Sequence, residues 1–162
     1  MFLLHSVMYR LLFCLFCLFF GANFACDAPR PVSSNLPTPK KNPSNIAWME
    51  SERLMPVLEL AQQKNLPVFV EFHAEWCAPC KVMEEELFTR EDVFVYFNSY
   101  FLNFRTNYDS GSGRAIADIY EVNALPTILF LDPKGVVLER YTGSVTAALL
   151  RTLGDQARSK MR

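Results

Sequence analysis

The sequence lacks a surplus of charge of either sign and has no cluster of basic side chains. Its 162 residues carry 16 Lys and Arg against 17 Asp and Glu, which leaves a formal net charge of -1. Proteins that bind nucleic acid usually present a basic patch to the phosphates, so the composition argues against this class of partner. Hydrophobic residues make up 51% of the chain, which is enough apolar material for the core of one folded domain.

The sequence also lacks an apolar run of full membrane-spanning length near its start. The run at residues 11–20 is shorter than the about 20 residues that a spanning helix needs. It fits the hydrophobic core of a secretory signal, which has about 7 to 15 residues. Arg10 precedes the run, and small and polar residues follow it as far as Ala25. We therefore predict that residues 1–25 are a signal peptide or a membrane anchor.

The end of this segment leaves three outcomes open. A peptidase could cut after Ala25, Cys26 could be acylated, or the segment could stay uncleaved as an anchor. Acylation would use a degenerate lipoprotein box, in which Asn23 stands where Leu is usual.

Residues 26–44 are predicted to be a linker, because the prolines at 29, 31, 37, 39 and 43 disfavour both helix and strand.

Cysteine is scarce in the part of the chain that should fold. Of the five cysteines, Cys14 and Cys17 lie in the predicted signal and Cys26 lies at its end. Only Cys77 and Cys80 remain, so no disulfide can join distant parts of the predicted domain. A bond between these two closes a very small ring, and the stabilisation expected from a disulfide grows with loop length. The pair is therefore predicted to serve redox chemistry rather than structure.

The remaining residues, 45–160, are predicted to form one domain of alternating helices and strands. The predicted elements, in chain order, are a helix from Ile46 to Gln63 that Pro56 could break, a strand from Pro67 to His73, a helix beginning at Cys77, a short helix through Phe97, a strand from Tyr100 to Thr106, a helix around 115–120, a hairpin of strands at 126–131 and 136–141, and a final helix after Gly143.

Three local patterns carry further expectations. Thr89 and Asp92, three residues apart, resemble the side-chain cap of a helix that continues through Phe97. The three glutamates at 84–86 are expected to form a solvated helix face. Trp48 is expected to be a core residue.

The chain is organised around Trp76-Cys77-Ala78-Pro79-Cys80-Lys81, which directly follows the predicted buried strand. A strand-to-helix junction places the first thiol at a helix N-terminus, where unpaired N–H groups and the helix dipole favour an anion. The pKa of a cysteine can fall there from about 8.5 to between about 3.5 and 7.5. Residues three apart on a helix are also close enough for a disulfide to form after a small adjustment.

Glu71 breaks the apolar pattern of the predicted strand, six residues before Cys77. Burial of an unpaired carboxylate is costly and raises its pKa, so the residue needs a reason to be there. We favour a role in proton transfer, and a salt bridge or a water-filled edge is the alternative.

Several motifs together resemble the thioredoxin superfamily. The segment Ala74–Lys81 is similar to the thioredoxin active-site motif, with Ala78 in place of the commonest Gly. Leu125-Pro126-Thr127 resembles the cis-proline loop of the family, and Gly143 stands where the family has a glycine before its last helix. The resemblance implies an α/β thioredoxin fold, with a central mixed β-sheet flanked by helices and an N-terminal helical extension.

Within the superfamily, the chain most resembles the C-terminal periplasmic domain of bacterial thiol:disulfide interchange proteins of DsbD type and their stand-alone relatives. The features that carry this resemblance are Asn65-Leu66-Pro67-Val68, the extension from Glu86 to Val93, and Leu125–Phe130. It implies location in the periplasm or cell envelope, clients with protein disulfides or dithiols, and a separate membrane electron donor. Membrane contact is expected only through the N-terminus or through lipid on Cys26.

The resemblance also assigns roles to residues. Cys77 would be the nucleophile and Cys80 the resolving thiol, with no cofactor besides their disulfide and no metal. Trp76, Pro79, Leu125 and a cis Pro126 would contact the substrate chain.

Two further residues stand at positions that the family uses. Glu71 stands where thioredoxins keep a buried Asp that helps to deprotonate the resolving cysteine. His73 stands where the family is often aromatic, and it could either tune Cys77 or simply pack.

Two other functions remain open from the sequence. A carrier of a soft metal ion such as copper could use Cys77, Cys80 and His73 as ligands. A client-binding module could use the proline loop without turnover. The direction of electron flow is not determined by Ala78-Pro79, and we expect the reducing direction.

Overall fold

The computed structural model describes residues 45–161. The predicted signal or anchor at residues 1–25, the linker at 26–44 and the acylation of Cys26 lie outside the described residues. Within 45–161, no helix is both long enough and apolar enough to cross a membrane.

A mixed four-stranded sheet lies at the centre of the domain. The strands are β1 (Val68–His73), β2 (Leu102–Asn107), β3 (Thr127–Leu131) and β4 (Val137–Thr142), in the spatial order β2-β1-β3-β4. β1 runs parallel to β2 and antiparallel to β3, while β3 and β4 form the predicted antiparallel hairpin. The thioredoxin fold expected from the sequence is therefore confirmed.

Among residues 45–161, five α-helices cover the sheet. They are α1 (Leu54–Lys64), α2 (Ala78–Val82), α3 (Glu91–Tyr100), α4 (Gly111–Ile119) and α5 (Ala147–Lys160). α2 continues into a π-helical turn at Met83–Leu87.

Side chains alternate across β1, and each face meets a separate apolar core. Val68, Val70 and Phe72 belong to the core beneath α1 and α4. Phe69 belongs to a second core, rich in aromatic rings, beneath α3 and α5. Glu71 shares the face of Phe69, so its carboxylate points toward the side of the sheet that carries the helix after Cys77.

The prediction of a helix beginning at Ile46 was wrong. Helix α1 begins at Leu54, and the chain before it is extended, with a bridge between Trp48 and β2. Pro56 does not break α1, because it lies in the first turn, where no intrahelical N–H bond is lost.

The short helix predicted to run through Phe97 also differs from the structure. Thr89 does not cap it, because the cap residue of α3 is Arg90, and the Thr89 hydroxyl instead donates to the carbonyl of Glu85. Asp92 pairs with Arg90. The helix extends through Tyr100, so β2 begins at Leu102 rather than at Tyr100.

Gly113 in the first turn of α4 allows a close approach between the helix and the loop after β2. A Cβ atom there would overlap the carbonyl oxygen of Asn107 and lie 2.8 Å from Oγ of Ser110, which caps the helix. We therefore expect Gly113→Ala to lower the free energy of unfolding by about 3 kcal/mol, since overpacking forces the backbone to shift. Chemical denaturation would measure the loss.

Gly111→Ala is the matched control for this substitution. A Cβ atom at Gly111 meets nothing within 4 Å, and Ala is the better helix former by about 1 kcal/mol. The control should be neutral or stabilising. A Gly113→Ala variant as stable as the control would show that the close approach is not required.

Candidate redox site

The site lies at one edge of the sheet, where several strand ends meet. β1 and β2 are parallel, so the segments that follow them, containing Cys77 and Tyr108, emerge at the same edge. β3 is antiparallel to β1, so β3 begins where β1 ends, and Pro126 lies just before β3 at this end of the sheet. The backbone N–H of Gly143, just after β4, donates to the carbonyl of Pro126 at 2.8 Å. Gly143 has a φ of 110°, a backbone conformation that favours glycine.

Cys77 and Cys80 are joined by a disulfide at the start of α2, with their Cα atoms 5.3 Å apart. Cys77 is the N-cap residue of the helix, and its Sγ accepts a hydrogen bond from the backbone N–H of Cys80 at 3.2 Å. The same N–H is placed to stabilise a thiolate on Cys77 after reduction. Both cysteines are buried, with 3% and 1% of their surfaces exposed, and they form a small cluster with Ala74.

The residues expected to contact substrate differ in their exposure to solvent. Leu125 packs against the cysteine cluster, and its peptide bond to the buried Pro126 is cis, as expected. Pro79 is exposed. Trp76 has 66% of its surface exposed, and its indole N–H donates to Oδ2 of Asp109 at 2.8 Å. Trp76 and Pro79 thus offer exposed apolar surface next to the two cysteines in the sequence.

Glu71 is fully buried and lies beside Arg105, its partner in the register of β1 and β2. Oε2 of Glu71 is 2.7 Å from Nε of Arg105. Neither carboxylate oxygen, however, meets hydrogen-bond geometry with any group among residues 45–161. Burial raises the pKa of Glu71 to about 7, because the attraction of Arg105 offsets only part of the cost of removing the charge from water. The salt bridge considered from the sequence is present, and the carboxyl also titrates near neutral pH.

Arg105 also binds Glu84 from the π-helical turn, through two contacts of 2.6 and 2.9 Å. The bond to Arg105 lowers the pKa of Glu84, so Glu84 is ionised near pH 7, where Glu71 is only partly ionised. The expected solvated face at residues 84–86 is confirmed, because all three glutamates are exposed, and Glu84 in addition pairs with Arg105. Arg105 therefore links a buried carboxyl to a partly exposed one.

Sequence reasoning missed both Arg105 and Glu84. A signal for Arg105 was available, because it is the one charged residue in the apolar stretch from Tyr100 to Thr106. No pattern separated Glu84 from its two glutamate neighbours.

His73 is half-buried beside the same ion pair. Burial, with the nearby charge of Arg105, lowers its pKa to about 4. The imidazole is therefore neutral near pH 7 and brings no charge to Cys77 at that pH. Among residues 45–161, no three His, Cys, Asp or Glu side chains are grouped to hold a metal ion. The copper ligand set of Cys77, Cys80 and His73 is therefore not assembled in this structure.

Comparison with known proteins places the chain in a family. A family model described as a thioredoxin-like domain matches residues 56–158. The thiol:disulfide interchange protein DsbD of Colwellia psychrerythraea is 33% identical over 140 residues, which cover 81% of this chain and 22% of that protein. The chain thus spans about a fifth of the length of this DsbD relative.

A shorter relative and a solved structure agree with this assignment. The thiol-disulfide oxidoreductase ResA of Bacillus subtilis is 27% identical over 113 residues, covering 57% of this chain and 62% of ResA. A thioredoxin from Thermus thermophilus superposes with a TM-score of 0.58 and 26% identity, covering 71% of this chain and 87% of that one. The disulfide at the start of α2, the cis Pro126 beside it and these matches lead to one conclusion: the chain belongs to the thioredoxin-like family of thiol:disulfide oxidoreductases.

Proposed function

We propose that this protein is an exported reductase that breaks disulfides in client proteins of the periplasm or cell envelope. The observation that carries the proposal is the Cys77–Cys80 disulfide at the N-terminus of α2, next to the cis Pro126. The reducing direction rests on the similarity to DsbD-type proteins. Export rests on the signal-like residues 1–25. The domain would be tethered either by these residues, if they were retained, or by lipid on Cys26, if that residue were acylated.

The first step is attack of the Cys77 thiolate on one sulfur of a client disulfide. A bond forms between Cys77 Sγ and that sulfur, and the other client sulfur leaves as a thiolate that takes a proton from water. The N–H of Cys80, 3.2 Å from Cys77 Sγ, favours the thiolate before attack. The exposed Trp76 and Pro79, with Leu125 and Pro126, would hold the client chain as an added strand.

The second step is resolution of the mixed disulfide by Cys80. The Cys80 thiol loses its proton, its sulfur attacks Cys77 Sγ, and the second client sulfur leaves as a thiolate. The client has then gained two electrons, and Cys77 and Cys80 have lost two by forming their disulfide. We assign the removal of the Cys80 proton to Glu71, because a pKa of about 7 lets the carboxyl accept and release a proton near neutral pH.

The cycle needs a reductant, which we assign to a separate membrane-bound dithiol protein. Its thiolate would attack the Cys77–Cys80 disulfide, and the donor would end the exchange as a disulfide. This requirement follows from electron balance, since each client disulfide consumes the two electrons held by the reduced pair.

The reduction potential tests the proposed direction. We expect the Cys77–Cys80 couple of the full chain to lie closer to the about -270 mV of thioredoxin than to the about -120 mV of DsbA. Equilibration in glutathione buffers, followed by alkylation of free thiols and mass spectrometry, would measure it. A variant with Cys14, Cys17 and Cys26 replaced by Ser controls for the thiols outside the pair. A potential near that of DsbA would contradict a reductase and indicate an oxidant.

A further inference from the structure

Residues 45–49 form a strap that lies across the outer edge of β2. Met49 N–H donates to the carbonyl of Asn103 at 2.8 Å, and Trp48 forms a parallel bridge with the same residue. Asn98 on α3 binds the strap from the other side, because its Oδ1 accepts from Ala47 N–H at 2.8 Å and its Nδ2 donates to the carbonyl of Asn45 at 3.1 Å. The strap is therefore fixed to both the sheet and a helix.

The strap carries one large side chain, Trp48, over the ion pair beneath it. The indole stacks on Phe69, with ring centres 5.7 Å apart and planes at 28°, and meets the edge of Phe88 at 5.4 Å. The guanidinium carbon of Arg105 lies 6.0 Å from the centre of the indole ring, within the range of a cation–π contact. Trp48 thus contacts the arginine that holds Glu71.

Trp48 and Arg105 both line a cleft at the surface of the domain. Trp48, His73, Glu84 and Arg105 line a cleft of about 600 Å³, whose remaining wall is formed by residues 49–52. The Arg105 side chain is 16% exposed, and the Glu71 side chain beneath it is not exposed at all. The indole and the guanidinium both line this cleft, and the buried carboxyl pairs with the guanidinium.

We propose that Trp48 is a positioning residue for the Glu71–Arg105 pair, covering the pair and keeping water from the carboxyl. This inference rests on the proposed function only for its catalytic consequence, the removal of the Cys80 proton by Glu71. The strap that carries Trp48 directly follows the predicted linker. It would therefore connect the tether of the domain to Glu71, the proposed proton carrier.

Removing the Trp48 side chain is expected to lower the pKa of Glu71. The charged groups near Glu71 are Arg105 on β2 and Glu84 on the π-helical turn. On β1 itself, His73 is neutral near pH 7, because its pKa lies at about 4. Glu50 and Glu52 line the cleft at the strap. Removing the indole changes none of these charges, so the main change is hydration, and since burial is the cause that raises the pKa of Glu71, water should lower it.

Titration of the Glu71 carboxyl tests the inference directly. In the full chain labelled with ¹³C at glutamate carboxyls, NMR should show that Trp48→Ala lowers the Glu71 pKa by about one unit or more. Trp48→Phe keeps an aromatic face and should restore most of the wild-type value. Phe101→Leu alters the same aromatic core at a ring that packs on Phe97 and Phe130, and it should leave the titration unchanged.

A second variant keeps the test decisive if Trp48→Ala does not fold. Asn98→Ala removes the two hydrogen bonds that hold the strap to α3 and leaves the indole intact, and it should shift the Glu71 pKa in the same direction by less. An unchanged pKa in a folded Trp48→Ala variant, or in Asn98→Ala where Trp48→Ala does not fold, would overturn the inference. A wild-type value near the ordinary 4.5 would overturn it too, since no exclusion of water would then need explaining.

The pH profile of mixed-disulfide resolution separates this inference from the proposed function. If Glu71 removes the Cys80 proton, the rising limb of the profile should move to lower pH in Trp48→Ala by the shift that NMR records. A shifted NMR titration with an unmoved rate profile would support the role of Trp48 and contradict the proton-transfer role of Glu71.

Discussion

Replacing Cys77 with Ser should reduce the rate of insulin-disulfide reduction to that of the buffer and reductant alone. The attacking sulfur is then absent, and neither the proline loop nor Trp76 can break a disulfide. Replacing Cys80 with Ser should leave the attack intact and stop the cycle at the mixed disulfide, because the resolving thiol is missing. Non-reducing electrophoresis and mass spectrometry should then show the chain joined to its client through Cys77.

Cys26→Ser is the control for these variants and should keep wild-type activity. The double variant Cys77→Ser, Cys80→Ser should trap no client at all. Full activity in Cys77→Ser would rule out the proposed mechanism. Undiminished client binding by the double variant would instead favour a module that holds peptides without turnover.

Replacing Glu71 with Gln should remove a large pH dependence of stability. The folded-state pKa of Glu71 is raised from 4.5 to about 7, so its neutral form is favoured in the folded chain. The associated stability is fully present below about pH 4.5 and is lost as the pH rises through about 7. At about 1.4 kcal/mol per pH unit, the loss is about 3 kcal/mol, and Gln, which does not titrate, avoids it.

The measurement is the difference in unfolding free energy between wild type and Glu71→Gln, by urea titration at pH 4, 6 and 8. The difference should move by about 3 kcal/mol in favour of the variant as the pH rises. Using the difference matters, because the lowered pKa of His73 makes wild-type stability rise with pH over part of the same range.

Glu84→Gln is the matched control, because Glu84 binds the same arginine and its pKa is lowered. Its stabilising effect is present above its unfolded pKa and lost as the pH falls, so the difference should move in the opposite direction. Equal pH dependence in the two variants would mean that Glu71 is ionised throughout.

The sequence predicted the centre of the site better than its surroundings. Cys77 and Cys80 could be identified because their spacing, the strand before them and the absence of other cysteines in the domain all agree. The need for a partner or a role for Glu71 followed from the cost of a carboxylate in an apolar strand. The cis Pro126 followed from resemblance alone, since nothing in the local sequence places that loop beside the cysteines.

The groups that surround Glu71 could not be predicted with the same means. Arg105 reaches Glu71 through the register of two parallel strands, which no local pattern encodes. Glu84 turns toward Arg105 on a π-helical turn, and helical periodicity assumes a regular α-helix. The strap was mistaken for helix because a few isolated hydrogen bonds to Asn98 and Asn103 hold it, and no alternating strand pattern marks it in the sequence.

The strap also affects how the sheet could pair with other chains. An uncovered edge strand offers unpaired N–H and C=O groups to a neighbouring molecule and so promotes aggregation. The backbone N–H of Met49 donates a hydrogen bond to the carbonyl of Asn103 on the outer edge of β2. At the opposite edge, Lys160 Nζ donates to the Leu138 carbonyl of β4 at 3.0 Å and to Glu139 at 2.7 Å. Both edges of the sheet are thus partly blocked against intermolecular β-pairing.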